Sequence, residues 1–206
     1  MFVKELQKQE WVRDYQQSGL ATQDHYGVIM LSRLPCKMAF HPLPTRMGRQ
    51  LLTAEINDGG GDDILVVGTV HLESLDSPDW REQQLSAAAD VLKGSETSLL
   101  VGDFNFCSER SWAEGRRLQR EGRADDSPLE NDVLKRKLPE HKDVWADLRP
   151  TEKGYTFDST RNGVIRQYEQ MRYDRVMARL QKGWRASSIQ MIGTQPIHGS
   201  EEWLRP

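Results

Sequence analysis

Apolar residues fall in short runs along the chain, separated by polar, glycine- or proline-bearing segments, and the period of each run predicts an element. Leu6 to Tyr15 has the spacing of a short amphipathic helix. Tyr26-Gly27-Val28-Ile29-Met30-Leu31 is continuous enough for a buried strand that stops near Pro35, and Leu51 to Ile56 predicts another. Asp58-Gly59-Gly60-Gly61-Asp62 makes a flexible turn. Ile64 to His71 follows as the clearest core strand, ending on a polar histidine, and it pairs with the strand before the turn as a hairpin. Trp80 to Lys93 returns to the helical period, with Gly94 as its stop. Ser98 to Gly102 is a short buried strand that delivers Asp103 at its end. From Glu109 to Lys137 the chain is polar and basic, the pattern of helices and loops over one rim. Tyr173 to Met177 alternates like a half-buried strand, and Ser187 to Ile192 repeats that pattern. Hairpins mixed with surface helices imply an α/β fold of two packed sheets flanked by helices, not a parallel doubly wound sheet.

The chain has 206 residues, the length of one domain with room for a small appendage. No apolar run approaches the roughly 20 residues that cross a bilayer. Met1 to Glu5 lacks the apolar segment of a secretion signal. Cys36 and Cys107 lie far apart and match no ligand spacing, so both read as free thiols of a reducing, intracellular compartment, nucleus or cytoplasm. A net charge of −3 argues against wrapping nucleic acid by bulk attraction, though not against gripping one or a few phosphates locally. The six tryptophans follow no regular spacing and are expected in or near the core.

Gly102-Asp103-Phe104-Asn105 is the sharpest chemical signal. If extended geometry continues past Gly102, Asp103 and Asn105 share a side, a carboxylate for a water proton beside an amide for a phosphate oxygen. An ordinary Asx turn closing a strand stands equally open. His71-Leu72-Glu73-Ser74 also follows a core strand, with His71 able to donate to an anion and Glu73 to orient a neighbour. Asp174, opposite Tyr173 and Arg175 on its strand, either orients a histidine or pairs with Arg172. Arg46 and Arg49, just before the strand at Leu51, are candidate phosphate contacts because the guanidinium fork suits oxyanions. The stretch around Arg116, Arg117, Arg120 and Arg123 is either a nucleic-acid path or a solvated face interspersed with Glu114 and Glu121.

Taken together these segments resemble the endonuclease/exonuclease/phosphatase superfamily, and within it the tyrosyl-DNA phosphodiesterase 2 branch. The resemblance rests on Tyr26 to Ser32, Pro44 to Leu52, Thr69 to Ser74, Gly102 to Asn105, Asp143-Val144-Trp145, Tyr155 to Asp158 and Arg172 to Val176, in order over nearly the whole chain. Gly-Asp-Phe-Asn alone marks only the superfamily, and Thr45-x-Met47-x-Arg49 with His-Leu-Glu-Ser narrows it to the branch. The resemblance implies a four-layer α/β/β/α sandwich, Mg²⁺ or Mn²⁺ as cofactor, and hydrolysis of 5′-phosphotyrosyl or related phosphodiester bonds in DNA or a protein–DNA adduct. It assigns Asp103 as the water-activating aspartate, Asn105 as its phosphate-facing partner, His71 to the phosphate side and Asp174 as the orienting carboxylate. Phe157 stands where close relatives tend to have tryptophan.

Two of the family's elements do not occur: a Gln-Glu-Val strand end, whose glutamate binds the metal, and a terminal Ser-Asp-His. The expectation is therefore a partial domain over residues 1–206, cut short at both ends of its active-site framework, with the metal glutamate upstream of Met1. Low or absent activity of this stretch by itself goes with that expectation. Two other readings stay open: a different nuclease or lipid-phosphate hydrolase of the superfamily, or an inactive interaction module.

Overall fold

The computed structural model describes residues 2–19, 27–57, 63–108, 130–166, 168–181 and 183–194. Along the chain these form α1 (Phe2–Leu6), a 3-10 helix (Glu10–Asp14), β1 (Gln16–Gln17), β2 (Leu31–Ser32), β3 (Cys36–Pro42), β4 (Gln50–Asn57) and β5 (Ile64–His71). They continue with α2 (Pro78–Leu92), β6 (Thr97–Asp103), α3 (Glu130–Lys137), β7 (Lys142–Asp143), α4 (Val144–Leu148), β8 (Phe157–Asp158), β9 (Gln170–Met171) and β10 (Asp174–Arg179). One six-stranded sheet in the order β3-β4-β5-β6-β10-β7 carries the frame, and β1-β2 and β8-β9 form two small ribbons. Sheets flanked by helices make the mixed α/β architecture that the sequence implies. The open edges at β3 and β7 are those of an incomplete sandwich.

Side-chain alternation explains the core. In β5 the buried positions are Val66, Gly68 and Val70, while Leu65, Val67 and Thr69 between them are half-buried. Val66 and Val70 pack with Leu51, Leu100 and Met177 against Leu85, Ala88 and Leu92 of α2 and Leu134 of α3. Each such leucine contributes about 1.5–3 kcal/mol by leaving water. Pro78 sits in the first turn of α2, where its missing N–H costs nothing. The predicted hairpin is present, with Leu51 opposite Val70, and β6 lies parallel to β5 after the α2 crossover.

Four local expectations change. The N-terminal helix breaks in two, because Gln9 is extended at φ −75 and ψ 131 before the 3-10 turn that buries Val12. Of the strand predicted over Tyr26–Leu31, only Leu31–Ser32 is regular, paired with Gln16–Gln17. Ser187–Ile192 forms no strand, having no ladder partner among the described residues. Of the tryptophans, Trp145 is buried but Trp11 is half exposed. The glycine turn 58–62, Tyr26, most of the basic stretch with Arg116, Arg117, Arg120 and Arg123, and the C-terminal tail lie outside the described residues.

Candidate active site

Three neighbouring strands end at one level. Asp103, the last residue of β6, is in register with His71 on β5 and with Asp174 on β10. Gly102 makes this closeness possible: its φ is +128, and a Cβ there would lie 2.0 Å from the Val70 carbonyl oxygen. Past Asp103 the extended geometry stops. Leu72 N donates to Asp103 O at 2.9 Å and Phe104 N to Tyr173 O at 2.9 Å, stitching the three tips together. Phe104 is fully buried below them.

The Gly-Asp-Phe-Asn segment closes as an Asx turn, not in the extended geometry that would put Asp103 and Asn105 on one side. Asn105 N donates to Asp103 Oδ1 at 2.8 Å, an Asx turn, with Asn105 itself at φ +55, a left-handed conformation asparagine tolerates. Asp103 Oδ2 faces His71 Nε2 at 3.4 Å, and both side chains are about one-third exposed. One Asn105 amide hydrogen is used on the Leu72 carbonyl at 2.8 Å. Burial raises the Asp103 carboxyl above the usual aspartate range, and the Asp174 charge adds to it, against the Asn105 N–H and the charges of His71 and Arg49. Burial and the Arg49 charge lower His71 below the ordinary histidine value, with Asp103 and Asp174 opposing. The pair is thus shifted toward a neutral imidazole beside a more basic carboxyl.

Asp174 is exposed, and Thr156 Oγ1 accepts its N–H at 3.1 Å and that of Tyr173 at 3.2 Å. Arg172 does not pair with it; its Nη1 donates to Asp143 at 2.9 and 3.0 Å. Glu73 is not on the His71 side. β5 ends at His71, and Glu73 turns inward, fully buried, where Oε2 accepts from Thr45 Oγ1 at 2.6 Å and Gln84 Nε2 at 3.0 Å and Oε1 accepts from Arg46 N at 2.9 Å. Burial alone would raise its carboxyl. The bonds from Thr45, Arg46 and Gln84, with the Arg49 charge, outweigh that and hold it below the usual glutamate range. Glu73 therefore fixes the Thr45–Arg49 loop. Within the loop Arg49 is buried and donates to Ser74 Oγ at 2.8 Å, whereas Arg46 is exposed and lies over the Trp80 ring at 5.2 Å.

Sequence reasoning missed Gln84 and Arg81, polar residues on the buried face of α2. Arg81 donates to the carbonyls of Glu73 and Leu75 at 2.7 and 2.8 Å and pairs with buried Glu130. The signal was present as polar residues at i and i+3 in line with Leu85, Ala88 and Leu92.

Among the described residues no group of three or more His, Cys, Asp or Glu side chains is placed to hold a metal ion. Both Glu73 oxygens are already occupied by donors. The acids present do not by themselves fit a divalent cation, which needs at least one further oxygen donor.

The family model described as the Endonuclease/Exonuclease/phosphatase family matches residues 3–190. No curated protein matches the chain. Among solved structures, TDP2 of D. rerio complexed with single strand DNA product is 23% identical, with a TM-score of 0.69 over 96% of this chain and 75% of that one. TDP2 from Caenorhabditis elegans is 19% identical, TM-score 0.53, over 85% of this chain and 49% of that one. An AP endonuclease from Archaeoglobus fulgidus is 19% identical, TM-score 0.57, over 81% and 67%. At these identities the likeness is one of fold.

Proposed function

The chain belongs to the endonuclease/exonuclease/phosphatase family, and from that premise we propose that it is a phosphodiester hydrolase of the tyrosyl-DNA phosphodiesterase 2 type. Its substrate in this reading is a 5′-phosphotyrosyl or related phosphodiester bond on DNA. The observation that carries the reading is the register of Asp103 with both His71 and Asp174, which collects a base, a donor and a second carboxylate at adjacent strand tips.

Water attacks phosphorus in line, without a covalent enzyme intermediate. Asp103 orients the water through Oδ2 and takes its proton, a task that its raised pKa favours. Asn105 presents its second amide hydrogen to the phosphoryl group. His71, neutral near pH 7, donates to a phosphate oxygen, and Asp174 takes the place of the orienting carboxylate at the neighbouring tip, its charge adding to the basicity of Asp103. Arg49 acts through its field, which reaches His71 and Asp103, and Arg46, exposed on the same loop, is assigned to direct contact with the substrate. The phenolate leaving group, whose acid has a pKa near 10, needs little protonation. Mg²⁺ or Mn²⁺, the cofactor that the family resemblance implies, would supply neutralisation of phosphate charge, with a further oxygen donor needed beside the acids described above. Turnover is expected to be low, since neither Gln-Glu-Val nor Ser-Asp-His occurs in the sequence. An intracellular location, nucleus or cytoplasm, goes with the free thiols of Cys36 and Cys107.

The test is hydrolysis of a 5′-phosphotyrosyl oligonucleotide in Mg²⁺ by the protein, beside abasic DNA, RNA and sphingomyelin. Preferred cleavage of the phosphotyrosyl bond, reduced roughly 10²-fold or more by Asp103→Asn, is the expected result. Turnover indifferent to that substitution would refute the site. Preference for another substrate would move the protein elsewhere in the family, and no hydrolysis at all favours the interaction module.

A further inference from the structure

Among the described residues two that are not glycine have a positive φ, Asn105 and Leu75, and both stand just past the strand tips that form the site. Asparagine tolerates that conformation, but a leucine at φ +63 is strained. Burial does not offset the strain, because Leu75 is 75% exposed. Its backbone is held from below. Arg81, fully buried and paired with Glu130, donates from Nη1 to the carbonyl oxygens of Glu73 at 2.7 Å and Leu75 at 2.8 Å. Ser77 N donates to the same Leu75 oxygen at 2.9 Å. Glycine would accept these bonds without strain. Strain that buried contacts hold in place clusters at functional sites.

Leu75 has a neighbour of matching chemistry. The Thr45–Arg49 loop leads into β4 at the end of the sheet where β5 delivers His71, with Leu51 opposite Val70. Arg46 on this loop lies over the Trp80 ring at 5.2 Å, and Trp80, in the first turn of α2, is partly exposed. Leu75 and Trp80 therefore border the site on its β4 side, whereas Asp174 lies across it on β10. Asp76 and Asp79, both exposed, flank this rim, so its carboxylates outnumber the Arg46 guanidinium. An apolar rim of that sign repels a phosphate backbone and suits a peptide with apolar and basic side chains. A phosphodiester has two arms, and the non-nucleotide arm is the one that meets this description.

We infer that Leu75 and Trp80 receive the leaving arm of the substrate, a peptide joined to the phosphate through its tyrosine. The inference rests on the hydrolytic reading for the place of the phosphate, and it adds two specificity residues that touch neither phosphate nor water. A side chain already set at the rim by its backbone loses less freedom on binding than one that must be ordered there. That advantage to the peptide arm is what the strain at Leu75 maintains.

Fluorescence anisotropy without divalent cation tests it, so that binding is read and hydrolysis is not. One probe is a short single-stranded oligonucleotide with a 5′-phosphate alone. The other is the same strand joined through 5′-phosphotyrosine to a short peptide containing leucine and arginine. Wild type is expected to bind the peptide-bearing probe about tenfold tighter or more, the scale of one buried leucine. Leu75→Gly and Leu75→Asn should cancel most of that gain and leave affinity for the 5′-phosphate probe unchanged, and Trp80→Ala should also reduce the gain. Leu75→Gly should hold or raise Tm, a combination that a packing role does not give. Equal affinity of wild type for the two probes, a gain kept by the variants, or a Leu75→Gly Tm lower by more than about 3 °C would each overturn the inference. So would weakening of the 5′-phosphate probe by the Leu75 variants, which would give the rim to the nucleotide arm. Aspartate in place of the peptide's arginine should reduce the gain, and an undiminished gain would overturn the charge argument. Turnover in Mg²⁺ separates the two ideas: no hydrolysis with the gain intact refutes the hydrolytic reading alone, and hydrolysis without the gain refutes this inference alone.

Discussion

Replacing Glu73 by glutamine changes one atom in a site with no room for a second donor. Thr45 Oγ1 already accepts from Met47 N at 2.9 Å and Arg49 N at 3.1 Å, so its own proton is directed at Glu73. Gln84 Nε2 points at the same carboxylate oxygen, with its second hydrogen on the Pro44 carbonyl, and Arg46 N–H points at the other. Whichever way the new amide is turned, its NH₂ meets a donor. The substitution therefore removes charge-assisted bonds and leaves buried donors unpaired, and roughly 3–5 kcal/mol of stability should go. In a chain of this size that lowers Tm by roughly 6–20 °C. Urea unfolding of wild type, Glu73→Gln, Thr45→Val and the double variant measures it, and the double variant should be much less than additive because both singles break one network. The sign with pH follows from the depressed carboxyl. Glu73 stabilises the fold above its unfolded pKa, and that contribution is lost as pH falls through the lower folded value. Glu73→Gln should lack this acidic limb. A loss under about 1 kcal/mol, or an unchanged acid profile, would refute the reasoning.

Two further outcomes follow from the same frame. Gly102→Ala should cost roughly 2–4 kcal/mol, since the added carbon overlaps the Val70 carbonyl at 2.0 Å and φ is +128; near-wild-type denaturation would mean that β5 and β6 are not this close. His141, held to about 4 by burial and the Arg179 charge against Glu140, hydrogen-bonds Ser98 Oγ at 3.0 Å. Its unfolded form takes up a proton near 6.5, so stability should be whole above that pH and fall by about 2–3 kcal/mol toward pH 4; His141→Gln should flatten this part of the profile in denaturation curves at pH 7 and pH 5.

What the sequence revealed and concealed divides along a physical line. β5 and α2 were legible because each buries one regular stripe, and β4 and β6 because a short apolar run, buried on both faces in β4, stands between polar or turn-forming segments. Cys36–Pro42 escaped because only Met38 and Phe40 mark its alternation, between two prolines that read as loop. It is an edge strand, held by pairing with β4, which no pattern within seven residues can announce. The site shows the same limit one residue further on. Periodicity correctly carries His71 and Asp103 to the strand tips, but assigning Glu73 and Asn105 to the same sides assumes that the strands continue. Both stop at the tip, and the next residues are placed by hydrogen bonds from elsewhere in the chain: Glu73 by Thr45 and Gln84, Asn105 by the Leu72 carbonyl. Positions inside a ladder are fixed by a period and can be counted. Positions just past it are fixed by which distant donor arrives, and Gln84, eleven residues from Glu73, signals that only as a polar residue where the helix should be apolar.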